Sequence, residues 1–150
     1  MRGALLTGTL QIKTAQPVLG KPIWVGITMT NESDRTLEII NPDVGTPPPN
    51  LHWTASDEAY RIALLISIGA LKIILKNGEG QLIESKGLQP WVTPIIGTQN
   101  LQPHQSLTFE FDVNELFSLE SSGFYHLWLR YGNDVYAESM IDFKLAESAS

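Results

Sequence analysis

The chain has 150 residues, no cysteine and a net charge of −6, from ten basic and sixteen acidic side chains. This charge and the lack of a Lys/Arg cluster argue against nucleic acid and an anionic membrane surface as partners. The length and the 43% hydrophobic content predict a single globular domain over residues 1–150. We expect no cofactor.

The first part of the chain alternates apolar and polar residues, as half-buried strands do. This pattern predicts strands at residues 7–14 and 23–30. Residues 31–34, Asn-Glu-Ser-Asp, have turn chemistry, since short polar side chains bond the local backbone. A further strand at 36–41 follows, so we expect it to form a hairpin with 23–30.

An insert near residues 42–68 interrupts the alternation. Its loop contains three consecutive prolines: Pro47, Pro48 and Pro49. They favour the stiff polyproline II conformation, which suits either a recognition loop or a connector that protects a sheet edge. Residues 57–68 fit both a strand of period two and a short helix capped by Ser56 or Asp57. The sequence leaves these alternatives open.

The next elements are marked by turns and caps. Residues 71–84 predict a hairpin around Asn-Gly-Glu-Gly, and the proline-rich residues 88–103 predict a loop. Residues 106–113 alternate as a strand. Asp112 and Glu115 then have the spacing of a capping box, which predicts one short helical turn.

The last two predicted strands, residues 123–131 and 135–145, form a hairpin, and the first is apolar on both faces. Its second face and that of its partner carry five side chains: Phe124, His126, Trp128, Tyr136 and Met140. A strand that is apolar on both faces is usually covered on both. Residues 57–68 or a protein partner would provide the cover, and we expect residues 57–68 to do so.

Together these elements predict an all-β fold, an immunoglobulin-like antiparallel β-sandwich of about seven to nine strands. Inward-facing positions of the predicted strands define the expected core: Ile23, Val25, Ile27, Leu107, Phe109, Tyr125, Leu127, Leu129 and Ile141.

Two stretches resemble bacterial immunoglobulin-like domains. Residues 17–33, PVLGKPIWVGITMTNES, place a turn glycine before an alternating strand that ends in Asn. LQPHQSLTFEFD with SGFYHLWLRYG resembles the closing half, where Tyr125 would form a tyrosine corner and Leu127 replaces the cysteine of antibody domains. The sequence is loosely similar to the intracellular proteinase inhibitors of bacilli, which implies a cytoplasmic sandwich and carries across no functional residue.

No catalytic or metal-binding motif is visible. The histidines His52, His104 and His126 lie outside any known nucleophile signature. The densest polar cluster comprises four residues: Glu110, Asp112, Asn114 and Glu115. Capping of the helical turn explains this cluster without an ion, and calcium binding is the alternative.

The leading functional hypothesis is a non-enzymatic protein-binding module, with inhibition of a protease or another enzyme as one form. Its candidate surfaces are Phe124, His126, Trp128 and Tyr136, and the prolines of the insert. The alternative is carbohydrate or small-ligand binding through Trp53, Trp91 or the Phe124/Trp128 face, and the third is an enzyme with a loop-assembled site. We expect a protein partner, which includes a homo-oligomer. Residues 4–6 form too short an apolar run for a signal peptide, which favours the cytoplasm.

Overall fold

The computed structural model describes residues 5–43, 46–47, 53–88, 97–132 and 135–147. Within these ranges the chain forms eight strands and two helices, and the predicted all-β class is confirmed. In chain order they are β1 (Leu6–Ile12), β2 (Trp24–Asn31), β3 (Leu37–Ile40), α1 (Asp57–Ser67), β4 (Leu71–Asn77), β5 (Thr98–Leu101), β6 (Ser106–Asp112), α2 (Val113–Leu116), β7 (Gly123–Gly132) and β8 (Tyr136–Leu145).

Two three-stranded antiparallel sheets form the sandwich, in the orders β1-β2-β6 and β4-β7-β8. A separate two-stranded sheet pairs β3 with β5. The two larger sheets correspond to the A-B-E and C-F-G sheets of the immunoglobulin arrangement. The predicted sandwich is therefore observed, with β3 and α1 inserted between its second and third sandwich strands.

The core lies between the two sheets, where alternate residues of each strand point inward. Six of the nine predicted core residues are fully buried, and the other three, Leu107, Phe109 and Ile141, are partly buried against them. Phe109 of β6 contacts Tyr131 of β7 with ring centroids 5.5 Å apart. Leu10 N donates to Ser139 Oγ at 3.1 Å, which joins β1 to β8.

Two buried tyrosines of β7 fix the loops beside it. Tyr125 donates its hydroxyl to Ser121 O at 2.5 Å, the tyrosine corner expected at the start of this strand. Tyr131 donates to Ile40 O at 2.7 Å, and burial raises the pKa of its phenol. The predicted β7–β8 hairpin is also confirmed. It turns at Gly132, whose φ of 114° only glycine adopts without strain.

The predicted hairpin between residues 23–30 and 36–41 is wrong. β2 pairs with β1 and β6, whereas β3 pairs with β5. Asn31, which is fully buried, explains the break, because its Nδ2 donates to both Arg35 O and Leu101 O at 2.8 Å. Its Oδ1 accepts from Ser33 N at 2.9 Å. Residues 31–34 therefore lead the chain from the β1-β2-β6 sheet to the β3-β5 sheet, instead of reversing it into a hairpin with β2.

The insert contains a helix, which decides between the two alternatives left by the sequence. Ser56 caps α1 by accepting a hydrogen bond from Ala59 N at 3.1 Å. The helix packs on β6 and β4 through buried residues that include Ile62 and Leu65. It closes one side of the sandwich at these edge strands. The expectation that residues 57–68 cover the Phe124/Trp128 face is therefore wrong.

The region around the third sandwich strand is only partly as predicted. β4 and the turn after it are present, with Asn77 N donating to Gln81 O at 2.9 Å. The second arm of the expected hairpin is reduced to a bridge between Leu82 and Lys76. The predicted loop 88–103 contains β5, because Thr98–Leu101 form the ladder with β3. No helix in the described ranges is long and apolar enough to cross a membrane.

Candidate functional site

The outward surface of the β4-β7-β8 sheet has an unusual composition for a face in contact with solvent. Of the five large hydrophobic side chains that are exposed among the described residues, four lie on it. Together with two half-buried neighbours they define what we call the apolar face: Ile74, Leu82, Phe124, Trp128, Tyr136 and Met140. A monomeric protein rarely exposes such a patch unless it binds something.

The strand register aligns the centre of the apolar face into one row. Trp128 of β7 lies directly between Ile74 of β4 and Met140 of β8. Directly paired side chains on one face have Cβ atoms about 4.5–5.5 Å apart, so the row is continuous. Met140 is 72% exposed and Phe124 60% exposed. The strands hold these side chains in place without burying them.

Charged residues lie on both sides of this row. Lys76, His126 and Asp142 form the row on one side, and His126 Nδ1 lies 2.5 Å from Asp142 Oδ1. Lys72 and Glu138 flank the other side of the apolar row. An apolar centre with a charged rim is the usual anatomy of a protein interface.

Two further cations of this sheet are held by aromatic rings of the same chain. The Arg130 guanidinium lies 4.0 Å from the centroid of the Tyr136 ring. The Lys144 ammonium lies 5.7 Å from the centroid of the Phe124 ring. Cation–π contacts of this kind orient both the cation and the ring.

The predicted candidate residues of the last hairpin are therefore brought together. Phe124, His126, Trp128 and Tyr136 share the outward face of β7 and β8, as the alternation indicated. Pro47 is half-buried in the short described stretch 46–47, and Pro48 and Pro49 lie outside the described residues.

Sequence reasoning missed the contribution of β4 and of the charged rim: Lys72, Ile74, Lys76, Leu82, Glu138 and Asp142. The alternation in LKIILK could have placed the first three on one face. The turn at Gly132 could also have set the register that puts His126 opposite Asp142.

The opposite outward surface, on the β1-β2-β6 sheet, provides an internal comparison. It carries small hydroxyl side chains, which we call the hydroxyl face: Thr7, Thr9, Thr28, Thr30, Ser106 and Thr108. Thr28 and Thr108 hydroxyls lie 3.0 Å apart, and those of Thr30 and Ser106 lie 2.7 Å apart. This surface has the polar character expected of a solvated antiparallel sheet.

A cleft of about 1090 Å³ opens beside α1 and the edge strand β6. Its described lining combines the half-buried Trp24 with Lys13, Glu58, Arg61 and Glu110. Arg61 Nη2 is 3.9 Å from Glu58 Oε1. This cleft is one of the cavities among the described residues to which the alternative hypothesis of small-ligand binding applies. Of the two tryptophans named for that role, Trp91 lies outside the described residues.

The other tryptophan, Trp53, is engaged within the fold. Its ring meets that of Tyr60 edge-on with centroids 5.4 Å apart. Its Nε1 donates to Ser56 O at 2.9 Å. These contacts anchor the start of α1.

The acidic cluster near α2 is used for capping. Asp112 Oδ1 accepts from Ile23 N at 2.8 Å and from Asn114 N at 2.9 Å. Burial raises the pKa of the Asp112 carboxyl, and these hydrogen bonds only partly oppose that effect. The capping box is half formed, because Glu115 instead accepts from Ser56 N at 2.7 Å. In the described ranges no group of three or more His, Asp or Glu could hold a metal ion.

The histidines show no catalytic arrangement in the part of the chain that is described. His126 is paired with Asp142, and its neighbours on the apolar face are Lys76, Phe124 and Trp128, which offer no nucleophilic hydroxyl. His104 lies in a turn with a φ of 64°. His52 lies outside the described residues.

Comparison with known proteins adds only weak structural similarities. No known family and no curated protein matches the sequence. A β-glucosidase from Listeria innocua in complex with isofagomine aligns with 94% of this chain at 9% identity and a TM-score of 0.45. The alkylpurine DNA glycosylase AlkC of Pseudomonas fluorescens, bound to DNA containing an abasic site analog, aligns with 96% at 9% identity and a TM-score of 0.47.

The chain spans only 16% of that β-glucosidase and 31% of AlkC. The bacterial hydrophobin BslA has a similar length, with 99% of this chain and 98% of BslA aligned at 14% identity and a TM-score of 0.39. None of the three is a proteinase inhibitor. Similarities at this level do not bear on function.

Proposed function

We propose that this chain is a non-enzymatic protein-binding module and that the apolar face is its binding surface. The observation that carries the proposal is the central row across the sheet, in which Met140 is exposed and Ile74 and Trp128 are half-buried. Apolar, aromatic and methionine side chains of this kind are enriched at the centres of protein interfaces.

The geometry of the face suits recognition by a folded surface. Three paired strands form a rigid platform, so its side chains lose little conformational freedom on binding. Trp128 at the centre is the type of residue that most often dominates binding energy. The charged residues around it supply a polar rim that fixes orientation more than affinity.

Inhibition of a protease or another enzyme is one specific form of this function, suggested by the resemblance to the bacillar inhibitors. The absence of cysteine suits a reducing compartment, and we place the activity in the cytoplasm. Under this form of the proposal, the apolar face would contact the inhibited enzyme.

Site-specific photo-crosslinking in the producing cell tests the proposal. A benzophenone amino acid is placed at position 140 in the centre of the apolar face, and in a matched variant at position 108 on the hydroxyl face. We expect position 140 to give a discrete adduct with a protein, either a second copy or another chain. Trp128→Glu should abolish that adduct, because a buried unpaired carboxylate is costly in an apolar contact.

The control at position 108 should give no discrete adduct. Equal adducts from both positions would mean that contact is nonspecific. The proposal would also fail if position 140 gave no adduct while the variant was correctly folded by circular dichroism.

A further inference from the structure

The rim charges of the apolar face are segregated between its two edges. Lys72 and Lys76 lie on β4 at one edge, and Glu138 and Asp142 lie on β8 at the other. β7 runs between these strands. In the described part of the chain neither lysine forms an ion pair. Arg130 and Lys144 keep their positive charges but lie over aromatic rings of the same chain, and Asp142 also contacts His126. The two rows that flank the apolar row thus have two lysines on one edge strand and two carboxylates on the other.

We propose that the occupant of the apolar face is a second copy of this chain, packed face to face about a two-fold axis that runs along β7. The inference rests on the proposed function and names the protein that is bound. Rotation about this axis places β4 of one copy over β8 of the other, because β7 lies midway between them. Such an interface is isologous, and every contact off the axis occurs twice.

This arrangement pairs the rim charges. Lys76 and Asp142 share one row of the sheet, so Lys76 comes to lie opposite Asp142 of the second copy. Lys72 likewise comes to lie opposite the second copy's Glu138. Aligned sheets cross at about 30°, which displaces facing rows by a few ångströms, and the flexible lysine stem spans such a distance.

The same rotation makes the apolar centre complementary to itself. Trp128 lies on the axis and faces Trp128 of the second copy, while Ile74 faces the second copy's Met140. Arg130 also lies near the axis, but its guanidinium is drawn over the Tyr136 ring. Met140, which is 72% exposed, is thereby removed from water together with Ile74 and Trp128.

The pattern of the β4 and β8 charges disfavours the other aligned face-to-face arrangement. A two-fold axis perpendicular to the strands would place β4 over β4 and β8 over β8. Lys72 would then face Lys76 of the second copy, and Glu138 would face Asp142. Like charges in an interface are unfavourable, so the axis parallel to β7 is selected.

The size of the face sets the expected strength of association. Strands lie about 4.8 Å apart and alternate residues about 6.7 Å apart, which gives the three strands a projected area of roughly 400 Å². Side chains that project from the sheets add to this projected area, so two copies bury on the order of 1,000 Å² in total. This is at the low end of specific interfaces. We therefore expect a dissociation constant in the micromolar range.

Sedimentation velocity of the purified full chain tests for the dimer, with the chain concentration varied from about 1 to about 500 µM. The salt concentration is kept at about 50 mM, so that the rim charges are little screened. We expect a concentration-dependent shift from monomer to dimer. The double variant Lys72→Glu/Lys76→Glu should weaken dimerisation at least about tenfold. The double variant Glu138→Lys/Asp142→Lys should weaken dimerisation to the same extent. An equimolar mixture of the two variants should restore the dimer, because all four rim contacts then join opposite charges.

Thr28→Glu, on the hydroxyl face, is the matched control and should leave association unchanged. Thermal unfolding followed by circular dichroism checks that each variant is folded. A chain that stays monomeric at every concentration would overturn the proposed dimer, as would a mixture that fails to associate or a Glu138→Lys/Asp142→Lys variant that associates more tightly.

The outcome for the dimer is separable from that of the proposed function. If the purified chain is monomeric but position 140 crosslinks to a different protein, binding through the apolar face stands and the dimer does not. Crosslinking that does not distinguish position 140 from position 108 would overturn both.

Discussion

The two outer surfaces of this sandwich belong to sheets of equal width, yet they differ in chemistry. The hydroxyl face presents threonine and serine side chains that bond one another, at distances such as 3.0 Å between Thr28 and Thr108. The apolar face presents a tryptophan, a phenylalanine and a methionine in the same structural positions. The fold requires only that outward positions tolerate water, as the hydroxyl face does. Under the proposed function, the apolar side chains reflect a requirement for binding.

The lysines of β4 sharpen this difference. Lysine at the edge of a sheet often prevents pairing with another chain. The outer edge of β4 already has hydrogen-bonding partners near Lys76. Ile83 N donates to Leu75 O at 2.8 Å, and Leu82 bridges to Lys76. Edge protection alone therefore does not account for Lys76, whereas the proposed pairing across an interface would.

The largest effect is expected from a comparison of neighbouring residues on β7. Leu127 points into the core and is fully buried, while Trp128 points outward and is half-buried. Leu127→Ala should lower the free energy of unfolding by about 2–5 kcal/mol, as large-to-small core changes do. Trp128→Ala should lower it by about 1 kcal/mol or less, as most surface changes do. Urea denaturation of the monomer at low concentration measures both. Equal losses would show that Trp128 belongs to the core, and the difference between the faces would disappear.

A smaller, pH-dependent effect is expected at Asp112, at the end of the hydroxyl-bearing sheet. Burial raises the pKa of this carboxyl, so its ionised form is disfavoured in the folded state. The protonated carboxyl therefore stabilises the folded state. This contribution is fully present below the unfolded-state pKa and is lost as pH rises through the folded-state pKa. An asparagine keeps the acceptor oxygen without the charge. Asp112→Asn should raise the free energy of unfolding, relative to the native chain, more at about pH 7 than at about pH 3.

The matched variant Asp112→Ala removes the acceptor as well as the charge. This variant should lower the free energy of unfolding by about 1 kcal/mol, because the N-terminal cap of α2 is lost. Urea denaturation at the two pH values measures each variant. If Asp112→Asn raised the free energy of unfolding more at acid pH than at neutral pH, the expected effect of burial would be contradicted. The hydrogen bonds from Ile23 N and Asn114 N would then outweigh burial in setting the pKa of this carboxyl.

The parts of the fold that were predictable from the sequence depend on local signals. Strand alternation, the β7–β8 hairpin and the tyrosine corner of Tyr125 all arise from residues close together in the chain. The pairing of β2 with β6 joins residues about eighty positions apart, and no local pattern specifies it. Residues 31–34 have turn chemistry, but buried Asn31 uses it to bond Leu101 O in a distant strand. This is why the hairpin expected there was wrong.

The candidate site was predictable to a similar extent. The outward positions of β7 and β8 follow from period two, so Phe124, His126 and Trp128 could be placed on one face. The position of α1 could not be predicted, because an amphipathic helix can cover either a sheet face or an open edge. It closes the edge between β6 and β4, and this leaves the apolar face exposed.

Oxidation of the methionines by peroxide tests most directly whether the apolar face is a binding surface. Met140 is 72% exposed at its centre, and Met29, fully buried in β2, is the internal control. In dilute monomer Met140 should be oxidised far faster than Met29, as read by peptide mass spectrometry. In concentrated chain, or with the crosslinked partner added, its oxidation should slow several-fold while Met29 stays protected. A rate at Met140 that is unchanged under both conditions, or as slow as that of Met29 in the dilute monomer, would contradict the account.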